Sequence, residues 1–264
     1  MTRRTLGGPL GRRALAMFLN TGAAVLVSAV PAIAQRGPAQ AAVKLSPDTI
    51  ALACAPTIAY GVPDVPLRIA GGQEAALRLT HAPGDLVTIN AGTRGGLAVG
   101  QEFYTRRLLT GGLGASRGNP VTIRTTGWIR VWAVDDEMSL ATITHACETV
   151  DVDDYLEPFV LPSLPAASTA TGTPERGNYG HVMTGQDRRT TFGNGDYLVV
   201  DRGSDHGVTA GARFVVYHDQ RADGNFLFQV GEAVAVDVKT ETSTLKVVSA
   251  VDAIYEGDYV GMRK

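Results

Sequence analysis

The chain has 264 residues, of which 44% are hydrophobic and 19% charged, and its formal net charge is −2. If the four arginines of residues 1–34 are set aside, 20 basic residues stand against 26 acidic ones, and a net charge of about −6 argues against nucleic acid and anionic lipid as partners. The length suits one or two domains.

Residues 1–34 have the pattern of a secretory signal peptide. Four arginines precede a mostly apolar run at 14–30, and Ala32-Ile33-Ala34 matches an A-x-A cleavage site. General secretion is favoured over the twin-arginine route, because neither arginine pair fits that motif closely. The pattern predicts an exported protein of the periplasm or cell envelope, with no integral membrane span after signal cleavage.

Residues 35–47 are rich in Ala, Gly and Pro, which predicts a flexible leader. Two short apolar runs follow, at 48–54 and 66–70, and each predicts a strand. These runs would form the N-terminal part of a first module that spans residues 48–157.

One stretch of the chain occurs twice without a gap, at 84–103 and again at 195–214, an offset of 111. The runs 86–89 and 197–200 are β-branched and aromatic and predict strands, and Asn90 and Asp201 after them predict turns. The identical pairs are Gly84 and Gly195, Asp85 and Asp196, Gly92 and Gly203, Gly96 and Gly207, Gly100 and Gly211, and Phe103 and Phe214.

The repeated glycines predict tight turns, because glycine adopts positive φ angles without steric cost. Leu97 and Val208, between the last two glycines of each copy, are placed to fill a small barrel. Asp85 and Asp196 fit structural turn positions. A catalytic or metal-binding role is the alternative, but no His or Cys is repeated beside them.

The similarity continues downstream at an offset of 104, beginning with Gly127 and Gly231. Polar turns separate predicted strands at 128–134 and 140–144 in the first copy, and at 233–238 and 244–249 in the second, which is typical of hairpins. Because the offset falls from 111 to 104, the first copy must contain a loop that is longer than its counterpart, and we place this inserted loop at 110–119. The Pro-, Ser- and Thr-rich residues 158–178 predict a linker before a second module at 179–264.

These patterns predict an all-β protein, with two tandem small β-barrel or sandwich domains related by internal duplication. The motif G-D-x-x-x-[IV]-[ND]-x-G-[ST]-x-x-G-[LV]-x-x-G-x-x-F, followed by a glycine-led hairpin, resembles the C-terminal domain of flagellar assembly protein T and similar modules behind peptidoglycan-binding LysM domains. The resemblance covers about 66–157 and 179–263. It implies an accessory β-module of the bacterial envelope without known catalysis, although no LysM pattern is found in this chain.

Cys54 and Cys147 are the only cysteines, and an oxidising compartment would allow a disulfide between them. Two buried thiols are the alternative. His145 lies two residues before Cys147 on the same predicted strand face, but no further group would activate a catalytic pair.

The other candidate sites give no recognisable pattern of catalysis or cofactor binding. The five histidines lack metal-ligand spacing, residues 219–225 lack the closing Glu of a calcium loop, and no nucleophile elbow occurs. We therefore expect no catalytic residues, no metal and no cofactor. A periplasmic hydrolase is the least favoured function.

Trp128, Arg130 and Trp132 lie at alternate positions of one predicted strand and would share one face. Such a face could stack on sugar rings or contact a protein. The second copy has Val236 in the place of Trp132, which favours a core position for Trp132.

The expected function is that of a non-enzymatic envelope protein that contacts other envelope proteins. The alternative is a module that binds peptidoglycan or another glycan through the Trp128–Trp132 face.

Overall fold

A computed structural model describes residues 45–61, 63–73, 78–109, 120–220 and 226–264. The predicted signal peptide, almost all of the predicted leader, the predicted inserted loop at 110–119 and residues 221–225 lie outside the described residues. Lys44–Lys264 form one compact unit.

The described chain begins with helix α1, Pro47–Cys54. The Ser46 hydroxyl caps it by accepting a hydrogen bond from the Thr49 amide (3.1 Å), and Pro47 and Asp48 occupy its first turn, where a fixed φ and a negative charge favour a helix. The strand predicted at 48–54 was therefore wrong.

The first module, 48–157, is otherwise built from strands. Its main sheet has seven strands in the order β2-β4-β7-β6-β5-β9, with β1 paired to β6, while β3 and β8 form a separate pair. The strands are β1 Thr57–Tyr60, β2 Ile69–Gly72, β3 Thr80–His81, β4 Leu86–Ile89, β5 Glu102–Leu109, β6 Pro120–Val134, β7 Ser139–Ala146, β8 Val150–Asp151 and β9 Tyr155–Pro158. A single bridge between Arg68 and Tyr155 joins the two ends of the sheet.

The second module, 179–264, contains a closed six-stranded barrel in the order β10-β12-β15-β14-β13-β17, and β11 pairs with β16 beside it. The strands are β10 Gly180–Gly185, β11 Thr191–Phe192, β12 Tyr197–Val200, β13 Arg213–Asp219, β14 Leu227–Val238, β15 Ser243–Ala250, β16 Ile254–Tyr255 and β17 Tyr259–Met262. The all-β prediction is confirmed, with α1 and three 3-10 turns as the helical exceptions among the described residues.

The predicted strands at 86–89 and 197–200 have the same bounds in the structure as β4 and β12. A 3-10 turn follows each of them, at Thr93–Gly95 and Ser204–His206. Leu97 and Val208 are 6% and 3% exposed and belong to two separate hydrophobic cores, of which that around Val208 fills the closed barrel.

The glycines that open and close the repeated stretch have positive φ angles. Gly84 and Gly195, just before β4 and β12, have φ angles of 93° and 85°. Their amides donate to carbonyls of the neighbouring strands β7 and β15, at 2.8 and 2.9 Å. Gly100 and Gly211, ahead of β5 and β13, have φ angles of 89° and 87°. All four therefore occupy a conformation that suits glycine far better than other residues.

The two middle pairs of repeated glycines have different structural reasons. Gly96 and Gly207 have left-handed φ angles of 81° and 77°, as the sequence predicted. Gly92 and Gly203 have φ angles of −129° and −132°, so positive φ was the wrong reason for them. Their missing side chains instead allow the hairpin tips that follow β6 and β14 to approach the backbone, where a Cβ would come within 3.0 Å of main-chain atoms.

Residues 159–179, close to the predicted linker, carry no helix or strand. They are nevertheless bonded to the second module. The Ser168 amide donates to the Gly211 carbonyl (2.7 Å), the Gly172 amide donates to the Lys264 carbonyl (3.0 Å), and the Arg263 guanidinium donates to the Thr171 carbonyl (3.1 Å).

Candidate functional site

Helix α1 is bonded covalently to the end of strand β7 by the Cys54–Cys147 disulfide, with a Cα–Cα distance of 5.6 Å. Of the two alternatives for these cysteines, the disulfide is confirmed. It closes a chain segment with a sequence separation of 93 residues, and in the chain-entropy model such a closure stabilises the fold by about 4–5 kcal/mol.

Trp128, the first residue of the predicted aromatic face, is buried under this helix. Its indole is 6% exposed and stacks on the His145 imidazole, with 4.1 Å between ring centroids and 16° between planes. Tyr104 meets it edge-on at 6.4 Å, and Phe159 and Ala53 complete the cluster. Trp128 is therefore a core residue, and its ring is not accessible to a ligand in solution.

Trp132, on the same strand, is 65% exposed, so the expected core position was wrong. The inward residues of this part of β6 are Ile129 and Val131, at 0% and 1% exposure, and Trp132 lies at a β-bulge between Val131 and Ala133 on the outer side. Its second-module counterpart Val236 also lies on the outside of its barrel, but α1 covers it through Leu52 and Ala55. Val236 is therefore buried by helix α1 and not by the interior of its barrel.

Two further exposed apolar residues lie on chain segments close to Trp132. Val99 (66% exposed) precedes Gly100, whose amide donates to the Val131 carbonyl at 2.9 Å, and Met138 (43% exposed) lies in the hairpin tip that follows β6. We call Val99, Trp132 and Met138 the Trp132 surface.

Two ion-pair groups lie on the same chain segments as the Trp132 surface. Arg130 pairs with Glu102 at 2.7 Å, and Arg94 reaches Glu137 at 2.9 Å and Asp136 at 3.4 Å. Of the predicted binding face, Arg130 and Trp132 thus reach the solvent and Trp128 does not.

The repeated aspartates have structural partners in both copies. Asp85 accepts a hydrogen bond from the Ala82 amide and Asp196 from the Gly193 amide, at 2.9 and 2.8 Å. Each carboxylate closes a three-residue turn onto its own strand, in agreement with the turn prediction.

Asn90 and Asp201, which directly follow β4 and β12, bond to neighbouring strands through their side chains. Their side-chain oxygens accept from the amides of Arg68 (2.8 Å) and His181 (2.6 Å), so they fix the neighbouring strands β2 and β10.

Two carboxylates at equivalent positions of the two copies, Asp154 and Asp258, are buried, although a solvated face was expected around Asp154, and each holds a basic side chain. Asp154 is 2% exposed and binds Arg107 through both oxygens, at 2.7 and 2.8 Å. Burial raises the pKa of Asp154, and hydrogen bonds from Arg107, the Asp151 amide and Thr126 oppose that rise. In the second module, Asp258 and His218 occupy the positions of Asp154 (offset 104) and Arg107 (offset 111), and they bind each other through Oδ1 and Nδ1 at 2.7 Å. The shared position indicates a structural role for both pairs.

His81 also has a counterpart that explains its position. It is 2% exposed and covers Gly72, just as Phe192 covers Gly185 in the second module. Neither His81 ring nitrogen has a hydrogen-bond partner among the described residues. The ring therefore fills an aromatic core position. The sequence signal that could have shown this is the offset of 111, which pairs His81 with Phe192 three residues before the repeated stretch.

Two cavities are large enough for small ligands. One of about 420 Å³ lies between α1, strand β5, residues 160–163 and strand β14. The other, of about 480 Å³, is lined by residues 173–177 together with Tyr179, Tyr217 and Leu227. The second has two aromatic walls and a cation, Arg176, at its edge.

The described residues contain one group with metal-ligating chemistry, formed by Cys54, His145 and Cys147. Sequence reasoning missed it, because Cys54 is distant from the other two in the chain and only the disulfide brings it beside them.

No protein-family model matches this chain, and no curated protein matches it either. None of the helices in the described ranges is both long and apolar enough to cross a membrane.

Proposed function

We propose that this protein is an exported, non-enzymatic component of the bacterial cell envelope that binds another envelope protein through the Trp132 surface. The observation that carries the proposal is the exposure of Trp132, at 65%, beside two further exposed apolar side chains. Large aromatic side chains are costly to leave in water and are enriched where proteins meet.

The ion pairs near the Trp132 surface support a protein partner. Arg130–Glu102 and the Arg94 pairs place charges of both signs on the chain segments that carry the apolar residues. Protein interfaces commonly have this arrangement, in which an apolar centre provides affinity and a polar rim provides specificity.

Export and the envelope location rest on the sequence pattern of residues 1–34. The resemblance to the C-terminal domain of flagellar assembly protein T supports an accessory envelope role, and any flagellar connection stays a prediction.

We also infer that the two modules arose by duplication. Strand pairing is interrupted at equivalent places in both, since the bulges at Trp132 and Val236 agree at the offset of 104 and those after Thr105 and Val216 at the offset of 111. Bulges are local irregularities that related proteins tend to keep, so their agreement supports common origin.

The test places a photo-crosslinking amino acid at position 132 in cells that express the full chain. We expect a discrete crosslinked product that depends on Val99, so that Val99→Ser reduces it. The matched control puts the same group at Val248, which is 49% exposed in the second module. Equal labelling from both positions, or none from position 132, would contradict the proposal.

A glycan-binding function is the second candidate, and the cavity of about 480 Å³ walled by Tyr179 and Tyr217 favours it. Aromatic rings stack on the apolar faces of sugars. Co-sedimentation with cell-wall sacculi separates the two functions. Saturable binding that Tyr179→Ala removes and Trp132→Ala retains would replace the protein-partner proposal with the glycan one.

A further inference from the structure

Three side chains with metal-ligating atoms meet where helix α1 joins the first module. Cys54 is the last residue of α1, while His145 lies near the end of strand β7 and Cys147 directly after it. The ligating atoms of all three lie within 4.8 Å of one another, and each residue is partly accessible to solvent. Cys54 and Cys147 form a disulfide in this state.

We propose that reduction of the Cys54–Cys147 disulfide converts this group into a binding site for a divalent ion of the zinc type, with two thiolates and the His145 imidazole as protein ligands. Zinc binds sulfur at about 2.3 Å and imidazole nitrogen at about 2.0–2.1 Å, so the ligand atoms of a tetrahedral site lie about 3.6–3.8 Å apart. Reduction frees the two sulfurs to separate to that distance, and all three ligating atoms already lie within 4.8 Å of one another. The fourth, solvent-facing position takes a water molecule.

The environment of His145 suits a metal ligand. The ring is held flat against Trp128 at 4.1 Å, which limits its rotation. The residue is also partly accessible to solvent, so a metal ion can reach it.

Backbone hydrogen bonds and side-chain packing also connect the elements that carry these ligands. The amides of Cys147 and Glu148 both donate to the Thr126 carbonyl, at 2.9 and 3.0 Å. Ala53, Tyr104 and Trp128 pack between the helix and the strand. The site is specific to the first module, because the corresponding residues of the second, Ser249 and Val251, offer neither imidazole nor thiolate.

The disulfide and the metal-bound state exclude each other, since both use the same sulfur atoms. A dithiol reductant transfers two electrons and two protons to the sulfur pair and becomes a disulfide itself, which breaks the Cys54–Cys147 bond and leaves two thiols. Metal binding then releases the two thiol protons to the solvent. The site would therefore report the thiol–disulfide state of its surroundings.

The experiment titrates Zn²⁺ and Co²⁺ into the full mature chain, once oxidised and once reduced with a phosphine that takes up oxygen from water and binds metals weakly. We expect one ion per reduced chain, thiolate-to-cobalt absorption and a change in Trp128 fluorescence, with binding at least about 100-fold weaker in the oxidised chain.

His145→Gln should weaken binding at least about tenfold, because loss of even an outer-shell partner costs about 10- to 100-fold. The matched control is His181→Gln, whose histidine is far from the two cysteines in the sequence and outside the group.

Reduction could unfold the chain, so thermal unfolding is measured beside the titration. Zn²⁺ should raise the Tm of the reduced chain and leave that of the Cys54→Ser/Cys147→Ser variant unchanged. Equal metal affinity of the oxidised and reduced chains, full affinity in His145→Gln, or no Zn²⁺ effect on the reduced chain would each overturn the proposal.

Discussion

At the scale of single residues, the repeated glycines are shared by the two copies for two separate physical reasons. Gly207 sits in the left-handed region at φ 77° with open space around it. Gly203 has an ordinary negative φ but lies against the Lys239 and Thr240 carbonyls. The amides of Ser204 and Asp205 donate to these same two carbonyls, at 2.9 and 3.0 Å, so the hairpin tip cannot move away without losing hydrogen bonds.

Alanine substitutions distinguish these two reasons. We expect Gly207→Ala to lower the free energy of unfolding by about 1–2 kcal/mol, the cost of a left-handed conformation for an L-residue. Gly203→Ala should cost about 3 kcal/mol or more, because its methyl group displaces a hydrogen-bonded backbone. Gly193→Ala is the control, since a Cβ added at that residue would have nothing within 4 Å. Urea unfolding would measure all three, and equal costs at 203 and 207 would contradict the assignment.

At the scale of strands and helices, Glu232 fastens three elements of the second barrel. It lies on β14 and pairs with Arg213 of β13 and with Arg263, the residue after β17, each at 2.7 Å. Hydrogen bonds from Arg263 and Arg213 lower the pKa of Glu232 from its ordinary value of 4.5. Because the folded state holds the ionised form more strongly than the unfolded state does, this contribution is present above pH 4.5 and is lost as the pH falls through the folded-state pKa.

Glu232→Gln should therefore destabilise the protein by about 1 kcal/mol at neutral pH and by less at about pH 3. The measurement is urea unfolding of wild type and variant at both pH values, because only the difference between them isolates Glu232 from other carboxylates. Glu256→Gln, at an exposed position, is the control with no expected difference. A cost that does not shrink in acid would show that packing, rather than charge, explains the contribution.

The strands could be predicted from sequence because glycine turns and β-branched runs are local signals. Helix α1 carried a local signal too, in Ser46, Pro47 and Asp48, but its apolar residues do not follow one helical face. Leu52 packs on the second module while Ala53 and Cys54 pack on the first, so the helix is covered on two sides and lacks the usual amphipathic period.

The same helix explains why the tryptophan assignments could not be made from sequence. Trp128 and Trp132 both lie on the outer side of β6, and strand periodicity treats them alike. Only the position of α1 and Phe159 buries one and leaves the other in solvent. Likewise the Cys54–His145–Cys147 group depends on a tertiary contact that no local pattern contains.

At the scale of the whole molecule, α1 contacts both modules, and so does strand β1, whose Tyr60 is hydrogen-bonded to Glu241 of the second module. The Cys54–Cys147 disulfide holds α1 to the first. On the second, Asp48 pairs with Lys246 at 2.9 Å and its carbonyl accepts from the Tyr197 hydroxyl at 3.1 Å, while Leu52 packs with Val236. We therefore expect the two modules to unfold together in the oxidised protein.

Leu52→Lys tests this coupling, because it places a charge in the contact with the second module and leaves the disulfide intact. Both tryptophans belong to the first module, so their fluorescence reports that module alone, whereas far-UV circular dichroism reports both. In wild type the two signals should change at the same urea concentration. In Leu52→Lys the second module, having lost about 2 kcal/mol or more of packing, should unfold first, and the circular dichroism midpoint should fall below the fluorescence midpoint.

Leu79→Lys, at a residue that is 71% exposed, is the matched control and should keep the signals coincident. Coincident transitions in Leu52→Lys would mean that contacts other than α1 couple the modules, with the hydrogen bond between Tyr60 and Glu241 as the next to be tested.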